Sequence, residues 1–159
     1  MVGSRDLQAE NAVFAAQVGI QAARQGYVLI SGNARGADKA AQDACLAAGG
    51  QVSSVVADRL DGYREHPNML YLSEEGYDLD FTAGRALSRN RVIHAMPQMT
   101  FVAQCAAGKG GTWSGTNKNL KNQYSPVFCL DDGSQGAMQL LSMGAKPVDL
   151  HGLSDFSKL

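Results

Sequence analysis

From Leu7 to Gln25 apolar side chains recur as Val13, Ala16, Ile20 and Ala23, with Asp6 placed to cap the first turn and Gly26 ending the run; the spacing predicts a helix. Tyr27 to Ser31 is a short aromatic and β-branched run that breaks at Gly32-Asn33-Ala34-Arg35-Gly36, which predicts a buried strand entering a loop. Ala37, Ala40, Ala41, Ala44, Cys45 and Ala48 then follow helical spacing up to Gly49-Gly50, giving a second helix with a small-residue face. Gln51 to Ala57 predicts another buried strand. The stretch from Asp58 to Asp80 holds seven of the fifteen acids together with Pro67 and reads as an irregular acidic surface excursion. Beyond it the pattern predicts a helix over Thr82–Met96, a strand over Met99–Gln104, a Gly-rich loop over Ala106–Gly111 and a helix over Thr112–Gln123. A strand over Pro126–Leu130, a helix over Ser134–Met143 and an extended piece over Lys146–Leu150 complete it.

Strands that are apolar on both faces and alternate with helices require a sheet covered on both sides by right-handed crossovers. The expected fold is α/β, a doubly wound, mostly parallel, Rossmann-like sheet in three layers. Residues 1–150 form one domain in this reading, and 151–159, which lack periodicity, form a peripheral tail.

Composition narrows the function classes. The chain has 159 residues, 45% of them apolar, enough for one core. No apolar run approaches the roughly 20 residues that span a bilayer, so no membrane contact and a cytoplasmic location are expected. Cys45, Cys105 and Cys129 are far apart in apolar runs and read as reduced core residues, and His66, His94 and His151 have no ligand spacing. No metal and no cofactor are expected. Fourteen Lys and Arg against fifteen Asp and Glu exclude a uniformly basic coat, yet Phe81 to Leu130 contains six cations and no acid.

In open parallel sheets ligands bind beyond the carboxyl ends of the strands. Three loops there join glycine, a hydroxyl and a cation: Gly3-Ser4-Arg5-Asp6, Ser31-Gly32-Asn33-Ala34-Arg35-Gly36-Ala37-Asp38, and Gly108-Lys109-Gly110-Gly111-Thr112-Trp113-Ser114-Gly115-Thr116. Glycine lets backbone N–H groups approach an anion, a helix N-terminus adds partial positive charge, and the polar side chains add donors. Neither a Walker A motif nor a Gly-x-Gly-x-x-Gly fingerprint is present. A further signal is Arg89-Asn90-Arg91. On a helix whose apolar stripe is Ala83, Ala86 and Leu87, the stripe turns polar at Asn90 and Arg91 where it should stay buried. Each loop read alone is also compatible with an ordinary tight turn, and the polar helix with a structural network. Trp113 and Tyr63 are candidates to stack on a base. No nucleophile elbow or oriented His occurs, so no catalytic residue is assigned; Glu74 and Glu75 read as structural or solvated.

Taken together, Gly3-Ser4-Arg5, Ser31-Gly32-x-Ala34-Arg35-Gly36-x-Asp38, Gly49-Gly50, Ser73-Glu74 and Arg89-Asn90-Arg91-Val92-Ile93 resemble the Rossmann-like domain of the DprA (Smf) family within the SLOG superfamily, over about residues 1 to 130. The resemblance implies a DNA-processing recombination mediator rather than an enzyme: a homodimer that binds single-stranded DNA in a positively charged pocket and contacts a recombinase. Here only Met1 and Val2 precede Gly3, so the strand that the family places there is expected to be cut short, and Lys39-Ala40 stands where the family has Ala-His. The family's flanking helical and winged-helix domains are not in this chain. The segment Gly110-Gly111-Thr112-Trp113-Ser114-Gly115-Thr116 resembles that of SLOG phosphoribohydrolases, without the Pro and the Glu of their motif, which disfavours nucleotide cleavage.

The expected roles are backbone N–H donation from Gly32, Gly36, Gly110 and Gly111, charge from Arg5, Arg35, Arg89, Arg91 and Lys109, and hydroxyl donation from Ser4, Ser31 and Thr112. Asp38 is expected to cap a helix or touch a sugar, with Gly3, Asn33 and Asn90 lining the pocket. The expected ligand is single-stranded DNA or a nucleotide; the alternative is a sensor of one nucleotide-derived small molecule.

Overall fold

The computed structural model describes residues 1–159. Five helices, α1 (Ala9–Arg24), α2 (Ala37–Ala47), α3 (Ala83–Ala95), α4 (Gly110–Asn122) and α5 (Gln135–Ser142), alternate with six strands. The strands are β1 (Val28–Ser31), β2 (Gln51–Val56), β3 (Met69–Ser73), β4 (Thr100–Val102), β5 (Val127–Leu130) and β6 (Lys146–Val148). They form two three-stranded parallel sheets, β1-β2-β3 and β4-β5-β6. The expected α/β class and parallel pairing are therefore present.

Residues 1–4 stitch the two halves together. Val2 makes a single parallel bridge to Val102, its N–H donating to Phe101 at 3.0 Å and its carbonyl accepting from Ala103 at 3.1 Å. On the other side the Met1 ammonium donates to the Ile30 carbonyl at 2.6 Å. The first segment is thus a stub lying between β1 and β4, and the chain order reverses across it. Its carboxyl end, with those of β1 and β4, is the switch point at which parallel sheets place ligands.

Side-chain alternation splits the core in two. Leu29, Val52, Phe101 and Phe128 point toward α1 and α2, where they meet Phe14, Val18, Ala41 and Cys45. Val55, Val102, Val127 and Cys129 point the other way, toward Ile93, Ala137 and Leu140. Two expectations fail here. Asp58–Asp80 is not wholly irregular, because Met69–Ser73 pairs with β2 as an edge strand. Its residues are mostly half-buried, so the two-faced apolar signature of a central strand is absent. The tail is not peripheral either. Leu153 and Phe156 are buried in the first core cluster, and the Phe156 N–H donates to Gln25 Oε1 at 2.7 Å. Two short 3₁₀ turns carry them, too brief to leave a periodic signal.

Candidate functional site

The far-separated loops converge. Gly36, at φ +87°, lies so close to the Ser4 and Arg5 carbonyls that a Cβ there would overlap them, and Ala37 N–H donates to the Ser4 carbonyl at 3.2 Å. Thr112 Oγ1 donates to the Gly3 carbonyl at 2.9 Å, Asn90 Nδ2 to the Gly111 carbonyl at 3.4 Å, and Arg89 Nη1 to the carbonyls of Gly32 and Val55. These contacts tie the turns after the N-terminal stub, β1 and β4 to α3 around one cavity of about 820 Å³.

Of the residues named from sequence, Gly3, Ser4, Arg5, Asp38, Arg89, Asn90, Lys109, Gly110, Gly111 and Thr112 line this cavity. Ser31, Gly32, Asn33, Arg35, Gly36 and Arg91 do not, and each has a physical reason. Ser31 is fully buried and its Oγ accepts from Gln42 Nε2 at 2.6 Å, so it belongs to the sheet interior. The Gly32 N–H, expected to face an anion, donates to Asp38 Oδ2 at 3.0 Å, joined by Ala34 N–H at 3.3 Å. Asp38 therefore pins the β1–α2 loop instead of capping a helix. Asn33 takes a left-handed conformation, φ 56°, to close that loop. Gly36 serves close approach to Ser4 and Arg5, and the first amide of α2 is taken by the Ser4 carbonyl. Arg35 reaches outward to Asp6 Oδ1 at 2.7 Å, both side chains largely exposed. Asp6 does not cap α1 as expected, because that helix starts at Ala9 and its N-cap is Gln8. Arg91 projects from α3 into a neighbouring groove.

The start of α4 differs from that of α2. No side chain caps either helix, but the first amide of α2 is tied to Ser4, whereas in α4, with Lys109 at the N-cap, Gly110, Gly111 and Thr112 form the first turn along the cavity wall. An uncapped helix N-terminus lined by glycine offers amides and partial positive charge to an anion. The Thr112 hydroxyl itself is committed to Gly3, and Ser4 Oγ donates to the Gln104 carbonyl at 3.3 Å, so neither hydroxyl is a free donor.

Arg89 supplies the deepest charge. It is 7% exposed, only Nη1 is engaged by protein carbonyls, and its buried Nε has no partner. A Cβ on Gly32 would overlap the guanidinium, so that glycine is there to seat Arg89. Burial lowers the Arg89 pKa and raises that of Asp38, and each charge partly offsets the shift of the other. Arg5 and Lys109 add positive charge to the cavity, against Asp6 and Asp38.

Among the cavity residues not assigned to the site from sequence, three bear on its chemistry. Leu87, expected in the buried stripe, is 56% exposed at the rim, because Arg89, Ile93 and His94 are the buried positions of α3. Phe81 is 53% exposed and lines the same cavity just before the Thr82 cap. An aromatic left unburied beside a helix start was the available signal. By contrast, the expected stacking residues lie elsewhere: Tyr63 stacks on Tyr71 with ring centroids 4.4 Å apart, and Trp113 packs against the second core cluster.

His94, the third, is 1% exposed. Asn119 Oδ1 accepts from Ser125 N–H at 3.0 Å, which orients the amide so that Nδ2 donates to His94 Nδ1 at 3.1 Å and leaves the imidazole proton on Nε2. Burial pulls the His94 pKa down to about 4, and the N-terminal charge adds to this. The folded state thus prefers neutral imidazole while the unfolded chain takes a proton near pH 6.5. Stability is present in full above that pH and is lost as pH falls toward 4. Urea midpoints measured from pH 7 to pH 4 should decline, and His94→Gln should flatten the decline across that window.

The family model described as DNA recombination-mediator protein A matches residues 1–156. No curated protein matches the chain. The fold superimposes on DNA processing protein A from Streptococcus pneumoniae with a TM-score of 0.76 and 28% identity, covering 92% of this chain and 56% of that protein. DNA processing protein A from Helicobacter pylori, whose structure is described by its single-stranded DNA binding mode, gives a TM-score of 0.80 and 25% identity over 96% of this chain and 76% of that one. The molybdenum cofactor binding protein from Rippkaea orientalis, at 19% identity, 98% and 91% coverage and a TM-score of 0.72, shares the fold alone. The chain spans little more than half the length of the pneumococcal protein.

Proposed function

Since the chain belongs to the DNA recombination-mediator protein A family, we propose that it holds single-stranded DNA in the cavity bounded by Arg5, Arg89, Lys109 and the first turn of α4. One observation carries this reading: the Arg89 guanidinium lines the same cavity as an uncapped, glycine-lined helix N-terminus. A cation and free helix-terminal amides on one cavity both favour an anionic group such as a phosphate. Phe81, exposed on the rim, offers the ring face on which a base stacks. The relation to the H. pylori protein, whose single-stranded DNA binding its description names, supports the same ligand. No helix is long and apolar enough to cross a membrane. Cytoplasmic residence, pairing into a homodimer and contact with a recombinase complete the proposal, as does the absence of catalytic chemistry.

The test is fluorescence anisotropy of a labelled oligothymidylate between 50 and 200 mM salt. Three cation–phosphate contacts predict that log K falls against log salt with a slope of about −2. Phe81→Ala should weaken binding about tenfold without lowering the melting temperature. Absent or salt-independent binding defeats the reading. The cavity's 820 Å³ also lies in the range of small-ligand pockets, which favours a nucleotide sensor as the second reading. A mononucleotide that raises the melting temperature while oligonucleotides leave it unmoved would establish that one instead.

A further inference from the structure

Beyond the main cavity, α3 and α4 enclose a smaller groove of about 230 Å³. Arg91 and Ser88 reach it from α3, Lys118 and Ser114 from α4, and Tyr124 closes it after the left-handed Gln123 turns the chain out of α4. Leu87, Asn90 and Gly111 line both spaces, so the groove adjoins the cavity. Resting on the DNA-binding reading, we propose that this groove is a second nucleotide subsite, which takes the phosphate and base of the strand as it leaves the main cavity.

The charge pattern supports it. The ion pairs of the chain are Arg35–Asp6, Lys39–Asp43, Arg59–Asp61 and Lys158–Asp155, so Arg91 and Lys118 are both uncommitted. No acid lines the groove; the nearest carboxylate contact is Glu74 Oε1, which accepts from Ser88 Oγ at 3.2 Å outside it. Two cations on facing helices, with no neutralising carboxylate between them, fit one phosphodiester. Tyr124, 37% exposed, supplies an aromatic face that any base can use. Helix packing alone does not require two like charges on opposing walls. The subsite makes the preferred ligand an oligonucleotide, because a mononucleotide reaches one space only.

The experiment compares a dinucleotide with a ten-residue oligothymidylate on the wild-type chain, on Lys118→Ala and on Tyr124→Ala, with melting temperatures as the folding control. Lys118 is exposed, so its loss should not unfold the protein. The expected result is a five- to tenfold loss for the long ligand in each variant, no change for the dinucleotide, and a salt slope shallower by about 0.7 in Lys118→Ala. Equal effects on both lengths, or none, overturn the subsite while dinucleotide binding keeps the main cavity standing. A wild-type chain that binds neither length overturns both.

Discussion

Arg89→Met should lose about 3–5 kcal/mol of folding stability in urea and should no longer retain an oligonucleotide at any salt concentration. The size follows from what the guanidinium serves at once. Its Nη1 satisfies the carbonyls of Gly32 and Val55, at the ends of β1 and β2, and its charge is the largest one opposing the buried Asp38. Removing it leaves two carbonyl acceptors and a largely buried carboxylate without their partner. Asp38→Asn in the same background relieves one of these losses, so the double variant should be more stable than the sum of the single changes. Arg89→Lys separates folding from binding. An ammonium keeps the charge but cannot bridge two carbonyls and present a second donor edge, so it should fold and bind at least tenfold more weakly. Arg89→Lys with full affinity would remove the guanidinium from the site.

The sheet and helices were legible because short apolar runs mark buried strands and the 3.6 period marks helices, as in Val52 to Val56 and Ala37 to Ala48. The convergence of the Gly-rich loops was legible for the same reason, since parallel strands deliver their following turns to one edge. What could not be read was which donors the protein itself consumes. Gly32, Ser31 and Thr112 have the right chemistry in the right loops, but Asp38, Gln42 and Gly3 occupy them. Residue type announces a hydrogen-bonding group, whereas its partner comes from elsewhere in the chain and is fixed only by tertiary packing. Leu87 failed in the opposite direction. Its helical spacing placed it in the core, yet Arg89, with Gly32 making room, holds the buried position, and an arginine there carries no hydrophobic signal. The stub at residues 1–4 was expected only from the family resemblance, as a strand cut short. That it stitches two half-sheets depends on the partners either side of it.

Gly19→Val should be the most damaging change remote from the cavity, costing about 3 kcal/mol or more, and even Gly19→Ala should destabilise. Ordinary helix propensity predicts the reverse, because alanine in a helix interior is worth about 1 kcal/mol over glycine. Packing decides the sign. A Cβ on Gly19 would overlap the Ala41 carbonyl oxygen and lie 2.9 Å from its carbon and 3.0 Å from the Cys45 nitrogen, all backbone atoms of α2 that no rotamer change can withdraw. The small-residue face of α2, with Ala37, Ala41 and Cys45 fully buried, exists so that α1 can lie directly on it. Gly84→Ala in the first turn of α3 is the control. Only Thr82 Oγ1, at 3.8 Å, lies near its Cβ position, so propensity acts unopposed and stability should hold or rise. The effect should reach the site as well. The α1 side carries Gly3 to Asp6, α2 is tied to it by Ala37 N–H on Ser4, and separating the two helices opens the rim where Arg5 stands. Since the obstruction is a carbonyl, pairing Gly19→Ala with Ala41→Gly should recover nothing. A double variant restored to wild-type stability would mean that the helices meet through side chains, and that the close approach assigned to Gly19 is wrong.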